Sequence, residues 1–546
     1  MNAPLAEAVL RYAGLGVAPF HTPGHKGGRG AHPMLRRFFT EEGLRADVSL
    51  SAELDDLHAP TGCIRAAEEL AAEAYGADAA YFMVNGTTGA LHTMLLAALA
   101  PGDVLLVPRN VHRSVVGAMI LTGVRPVYMQ PEIDTQLGIA MGVSLAAVKR
   151  AVCEHPEARA ALLVYPTYYG VAAELAAIAA FLHAQGKLLL VDAAHGAHFA
   201  FSDELPPSAM AAGADLSAES THKLLGSLTQ TSMLLARGGC VPTARIRAAS
   251  GILQSTSPNE ILLASLDLAR AQMAAGADLS AESTHKLLGS LTQTSMFLAR
   301  GGRVPTERIC AASGIVQSTS PNEILLASLD LARAQMAEEG RERLAVAIRA
   351  AEELRRRINE IDGLWAFGAE HMGMPGCAAL DPLKITVQVT GCGLSGFAAE
   401  EELRRRGVAV ELADARNVLL LLSYADGERE TERVYVALSD MAATCAPLCT
   451  SRGAAAFLSL PPIPRMGMEP RAAYFAPHAC VRMEAAEGRI AAETIVFYPP
   501  GIPVLAAGDV IDEATLSYLS VMKAAGARVV GAADASLRTL LVIAKG

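Results

Sequence analysis

Several features are scarce in this 546-residue chain. No long Lys/Arg run interrupts it, and 56 Asp and Glu against 46 Lys and Arg give a formal net charge of -10. That balance argues against a nucleic-acid partner. Apolar stretches are broken by charge, Gly or Pro well short of membrane-spanning length, although 51% of the residues are hydrophobic. The opening residues, Met1 to Glu7, have no basic segment followed by an apolar one, so secretion is not expected. The nine cysteines are scattered and odd in number, which suits a reducing compartment. Cys445 and Cys449 lack a second pair or a nearby His, so no tetrahedral metal set is expected. These absences leave a soluble, cytoplasmic, globular protein long enough for two or three domains with large cores.

What is present alternates. A Gly-rich loop, His21 to Gly28, and a polar segment, Glu53 to Gly62, precede a helix over Cys63 to Tyr75 for which Thr61 is a candidate cap. From Ala80 the pattern becomes strand, loop, helix: Ala80 to Val84, Asn85-Gly86-Thr87-Thr88-Gly89, then Ala90 to Leu99. Glycines admit an anion close to the backbone, and a helix start with two hydroxyls suits a phosphate. Further units follow: a strand over Val104 to Val107, a helix from His112, strands over Pro126 to Met129 and Ala161 to Tyr165, and the strand Lys187 to Asp192 after a helix around Leu175 to Ala184. Such alternation, with near-continuous apolar strands, predicts an α/β fold with a mostly parallel sheet flanked by helices and ligands at the carboxyl ends of its strands.

One segment occurs twice. Residues 210 to 272 align with 273 to 335 at a constant offset of 63, differing only at positions 234, 240, 244, 247 and 253 of the first copy. Each copy carries Ser-Thr-His-Lys, at Ser220 to Lys223 and at Ser283, Thr284, His285 and Lys286. Two units are too few for a solenoid, so the repeat reads as a tandem duplication and not as two sites. After it, Glu338 to Ile361 has helical spacing with a solvated charged face. From Lys384 on, strands over Ile385 to Val389, Val408 to Leu412 and Val418 to Leu422, with a helix over Gly396 to Arg406, predict a smaller C-terminal α+β domain. The expected division is an N-terminal segment 1–60, a large domain 61–365 and a small domain 366–546.

Taken together, the polar motifs suit pyridoxal phosphate, which needs a lysine for its aldehyde, an anion cradle, a carboxylate for its ring nitrogen and a flat group over the ring. Lys223, the Asn85 to Gly89 loop, Asp192 and His112 can supply these in turn. The chain resembles the bacterial Orn/Lys/Arg decarboxylase family, with the aspartate-aminotransferase (type I) fold of pyridoxal phosphate enzymes. The likeness rests on His21-Thr-Pro-Gly-His-Lys26, Leu54-Asp-Asp-Leu-His58, Asn85 to Gly89, Arg109-Asn-Val-His112, Tyr165-Pro-Thr-Tyr-Tyr-Gly170, Asp192-Ala-Ala-His195-Gly-Ala-His198, Ser220 to Lys223, Gln254-Ser-Thr-Ser-Pro258 and Tyr498-Pro-Pro-Gly-Ile-Pro503. These motifs span nearly the whole chain, and the duplication is the departure from the family pattern.

The resemblance implies roles. Lys223 would bind the aldehyde; Thr87, Thr88, Ser220 and His222 would contact the phosphate; His112 would stack on the ring; Asp192 would keep the ring nitrogen protonated; and His195 would lie beside the ring. Glu493 would meet the distal cation of a basic amino-acid substrate, with arginine favoured over lysine and ornithine, and a homodimer is the least assembly expected. The short connection from Asp192 favours Lys223 over the duplicate Ser283, His285 and Lys286. Continuity into the Glu338 helix favours the second copy further on. The expectation is therefore a composite, changing copy near Gly238-Gly239, in which Ser318, Thr319 and Ser320 replace Ser255 to Ser257 at the phosphate and about 63 residues loop out. Two other readings stand: another reaction of the same fold, such as an aminotransferase, and an inactive cofactor-binding scaffold.

Overall fold

The computed structural model describes residues 3–15, 23, 25–31, 41–48, 54–202, 204–224, 230–254, 263, 267, 342, 344–423, 426–445, 461–497, 502–524 and 526–544. Its centre is a seven-stranded sheet built from β1 (Ala79–Met83), β2 (Val104–Pro108), β3 (Arg125–Met129), β4 (Ala160–Val164), β5 (Leu188–Asp192), β6 (Leu216–Glu219) and β7 (Ser232–Ala236). The strand order is β1-β7-β6-β5-β4-β2-β3. Pairing is parallel from β6 through β3, and only β7 runs antiparallel to both of its neighbours. β2, β5, β6 and β7 are buried along their whole length. β2 and β5 carry Leu and Val runs instead of an alternating pattern because helices cover both faces.

The helices that matter here are α1 (Pro4–Gly14), α2 (Cys63–Ala74), α3 (Gly86–Ala98), α4 (Arg113–Thr122), α5 (Leu145–Glu154), α6 (Leu175–Ala184) and α7 (Thr243–Leu253). Most fall within a residue or two of the sequence pattern. The Asn85 to Gly89 stretch differs: Gly86 already opens α3, so the anticipated loop is the first turn of the helix. The start of α2 differs too. Asp55, at φ 73°, places its carboxylate to accept from the backbone N–H groups of Gly62 (2.7 Å), Ile64 (3.1 Å) and Arg65 (3.3 Å), which is the capping work expected of Thr61.

The first copy of the repeat fills the fold on both sides of Gly238-Gly239. β6, β7 and α7 all come from it, and Asp267 accepts a hydrogen bond from Leu5 N in α1 (2.7 Å). This differs from the composite expectation, and a buried ion pair with no local trace in the sequence ties α7 of the first copy to α2. Glu68 of α2 and Arg247 of α7 meet at 2.6 Å, both hidden from solvent, with Arg247 4.6 Å from the Tyr81 ring centroid. Residues 273–335, including Ser283, His285, Lys286, Ser318, Thr319 and Ser320, lie outside the described residues.

Beyond the repeat, β8 (Trp365–Ala366), β9 (Lys384–Gln388), β10 (Leu412–Ala413) and β11 (Asn417–Leu421) form an antiparallel sheet in the order β8-β9-β11-β10. Of the strand expected over Val408 to Leu412, only its end at Leu412 enters the sheet. Helix α8 (Gly396–Arg405) starts against this sheet. A Cβ at Gly396 would stand 2.1 Å from Asn417 O and 2.4 Å from Asp414 O, so only glycine fits there. A C-terminal unit from 461 to 544 docks through Arg109, whose guanidinium donates to Asp509 (2.6 Å) and to the carbonyl of Val504 (3.2 Å). Among the described residues no helix is long and apolar enough to cross a membrane.

Candidate active site

The parallel strands deliver their following residues to one edge of the sheet, and a cavity of about 380 Å³ opens there. It is lined by Thr87 and Thr88 after β1, His112 after β2, Tyr168 after β4, Asp192 and His195 after β5, and Ser220 and Lys223 after β6. Six of the residues expected at the site, Thr87, Thr88, His112, Asp192, His195 and Ser220, therefore converge on Lys223. The side chain of His222, in the short helix Thr221–Leu224, falls outside the described residues.

One end of the cavity is built for an anion. The first turn of α3 presents backbone N–H groups that no residue of the helix can accept, and Thr87, Thr88 and Ser220 add hydroxyls. Thr87 is buried and fixed by Ser232, whose Oγ lies 3.2 Å from the Thr87 hydroxyl and donates to Glu219 O at 2.7 Å. Opposite, Lys223 Nζ sits 2.9 Å from His195 Nε2. The His195 ring stacks at a tilt on Tyr168, with centroids 4.4 Å apart, and Tyr168 OH in turn donates to Glu411 (2.8 Å).

Two groups have protonation states set by their surroundings. His112 caps α4, its Nδ1 accepting from Ser114 N at 3.3 Å and lying 2.7 Å from Ser114 Oγ. Burial first, and then the charges of Lys223 and Arg113, push its pKa down to about 3, so the imidazole is neutral at ordinary pH. Asp192 is buried at the end of β5, one oxygen accepting from Ala194 N (3.2 Å). Burial raises its pKa, opposed by the nearby Lys223 ammonium.

Glu493 stands elsewhere. It is buried in the C-terminal unit, where its two oxygens accept from Ala533 N (2.6 Å) and Leu541 N (2.7 Å), and it lines neither this cavity nor its neighbour. That neighbour, of about 160 Å³, shares Asn110, Ala140, Tyr169 and Ile502 with the first and lies between the C-terminal unit and the rest of the chain. The carboxylate on its wall is Asp414, which accepts from Tyr169 OH (2.8 Å) and Asn417 Nδ2 (3.0 Å) and is raised in pKa by burial. Sequence reasoning picked out the Tyr165 to Gly170 motif without a role for Tyr168, and missed Ser232 and Asp414 because nothing local marks them.

Comparison with known proteins shows the family and the fold. The model of the Orn/Lys/Arg decarboxylase major domain matches residues 3–282 and 275–430, and that of the Orn/Lys/Arg decarboxylase C-terminal domain matches 453–534. An arginine decarboxylase of Bacillus subtilis (strain 168) is 37% identical over 543 residues, covering 99% of this chain and 98% of the relative. An arginine decarboxylase of Halalkalibacterium halodurans has the same identity and coverage. The solved structure of lysine decarboxylase A from Pseudomonas aeruginosa superposes with a TM-score of 0.74 at 22% identity, over 99% of this chain and 80% of that one, which speaks for the fold.

Proposed function

The chain belongs to the Orn/Lys/Arg decarboxylase family, and from that premise we propose that it decarboxylates a basic amino acid, arginine before lysine and ornithine, at the cavity around Lys223. The observation that carries this reading is the convergence of a lysine, a buried carboxylate, a neutral imidazole and a helix start on one cavity. That donor set fits pyridoxal phosphate: Thr87, Thr88 and Ser220 at the α3 terminus would hold the phosphate, Lys223 the aldehyde and Asp192 the ring nitrogen, with His112 and His195 against the ring. The cofactor, when bound, supplies an aldehyde that captures the amine and a ring that accepts the electrons left when carbon dioxide departs.

The chain's own residues do the rest. Asp192, which lines the cavity, would by its charge hold a proton at the ring nitrogen and so keep that ring electron-poor. His112, neutral, offers a flat face without adding a competing positive charge. Lys223 Nζ and His195 Nε2 lie 2.9 Å apart, a pair that could hold the proton that would replace the departing carboxylate. Tyr168 and Ser114 keep the two imidazoles in place. Arginine's distal cation would reach the second cavity past Tyr169, where Asp414 and the rings of Tyr169 and Tyr518 form a wall. The enzyme is proposed to act in the cytoplasm as at least a homodimer.

The test is carbon dioxide release from arginine, lysine and ornithine, assayed side by side with pyridoxal phosphate present. Release from arginine at the highest kcat/KM is the expected result. No release from any of the three, with cofactor bound, would overturn decarboxylation in favour of a non-catalytic role.

A further inference from the structure

The two repeat copies are nearly identical, yet the protein around them is not indifferent to which one it holds. Of the five positions that differ, two in the first copy are wholly buried in the structure, Leu234 and Arg247. Leu234 sits in the middle of β7, opposite Tyr81 in β1 and Ala218 in β6, and the second copy has Phe297 there. Arg247 lies in α7, and the second copy has Cys310 there.

Arg247 answers a fixed demand from outside the repeat. Glu68, in α2, is 2% exposed, and its carboxylate accepts from Phe82 N (3.1 Å) and from Arg247 Nη2 (2.6 Å). Arg247 also packs its guanidinium over Tyr81 and lies 3.5 Å from the carbonyl of Leu57. Burial pushes the Glu68 carboxyl up in pKa, with Arg247 as the main opposing influence. A buried charge stripped of its partner is strongly unfavourable, because nothing else repays its desolvation. With the second copy threaded through the same place, Glu68 would meet a thiol, and β7 would have to admit a phenyl ring where a leucine is close-packed.

We propose that Glu68 selects the first copy of the duplication through Arg247, and thereby decides that Lys223, and not Lys286, is the lysine in the cofactor cavity. Glu68 makes no contact with the cavity itself; it acts on the site by fixing which copy threads the sheet. The duplication is then one functional unit and one surplus unit, discriminated chiefly by a buried ion pair. This inference rests on the reading of the cavity as a pyridoxal phosphate site.

The experiment uses the full chain loaded with pyridoxal phosphate, reduced with borohydride and mapped by peptide mass spectrometry. In the wild type the pyridoxyl group is expected on Lys223 over Lys286 by more than about a hundredfold, the ratio implied by leaving a buried charge unpaired. Exchanging the two residues, Arg247→Cys together with Cys310→Arg, in a chain that also carries Phe297→Leu, is expected to move most of the label to Lys286. Label on Lys286 in the wild type, or label that stays on Lys223 in a folded exchange variant, would overturn the proposal. A Lys223→Ala chain keeps the test independent of whether the exchange variant folds: it should lose the label, whereas label passing to Lys286 at wild-type yield would show that the copies interchange freely. Label on neither lysine of the wild type would instead sink the cofactor reading.

Discussion

Asp192 and Glu219 end neighbouring parallel strands, and both are almost wholly buried, but their surroundings prepare them for opposite uses. Asp192 opens onto the cavity and has the Lys223 ammonium near it, which opposes the upward push of burial. Glu219 does not line the cavity. Its Oε1 accepts from the Ser217 hydroxyl, and burial together with the negative charge of Asp192 raises its pKa to about 8. Burial alone therefore does not make a catalytic carboxylate. An adjacent cation and an open face distinguish the acid that can act as an anion from the one kept neutral beside it.

The sharpest way to break this comparison is to replace each acid by its amide in turn. Asp192→Asn should fold normally and lose about 10²- to 10³-fold in kcat, the size typical of deleting a preorganised electrostatic contact in a desolvated site. Steady-state decarboxylation with circular dichroism on the same preparation checks this; a loss under about fivefold would mean that Asp192 is only a core carboxylate. Glu219→Gln, which keeps the shape and removes the titration, should leave kcat within about twofold if Glu219 is already neutral during turnover.

Glu219 should instead show itself in stability. Its folded pKa, about 8, lies above its unfolded value, so its contribution is fully present below about pH 4.5 and is lost as pH rises through 8. His112 works in the other direction: with a folded pKa of about 3 against about 6.5 unfolded, it contributes fully above pH 6.5 and is lost as pH falls toward 3. The cofactor-free protein should thus weaken on both sides of a window between these limits. Glu219→Gln should flatten only the alkaline limb, by about 4 kcal/mol between pH 5 and pH 9, and leave the acid limb to His112. Urea midpoints measured across that range decide it, and an unchanged alkaline limb would mean that Glu219 is ionised in the folded state.

These contrasts also mark what the sequence could and could not disclose. The strands, most helix limits and the sheet-edge cluster were legible, because apolar runs and the residues just after them are local signals. Asp192 ends a run of Leu and Val, and Lys223 follows a strand, so their shared edge could be inferred. The Glu68 to Arg247 pair spans 179 residues and has no local trace, which is why the composite threading looked reasonable. Capping by Asp55 was hidden for a related reason: its reach of seven to ten residues depends on a left-handed residue at φ 73° that no periodicity reveals.

Glu493 and Asp414 extend the comparison to the substrate end. Both are acids of the C-terminal half, yet Glu493 spends both oxygens on backbone N–H groups 40 and 48 residues away, so it stitches the C-terminal unit together. Asp414 also has partners, but it faces a cavity that shares Tyr169 with that of Lys223. If the distal cation of arginine is read there, Asp414→Asn should raise KM for arginine about tenfold with kcat nearly unchanged, since a uniformly used charge-assisted contact is worth about 1.5 kcal/mol or more. Glu493→Gln should leave KM alone and lower the melting temperature, because one of its oxygens becomes an amide that cannot accept from the backbone. The reverse pattern, with KM rising for Glu493→Gln and not for Asp414→Asn, would return the substrate's cation to Glu493. It would also show that the hydrogen bonds to Ala533 and Leu541 orient a recognition group instead of occupying a structural one.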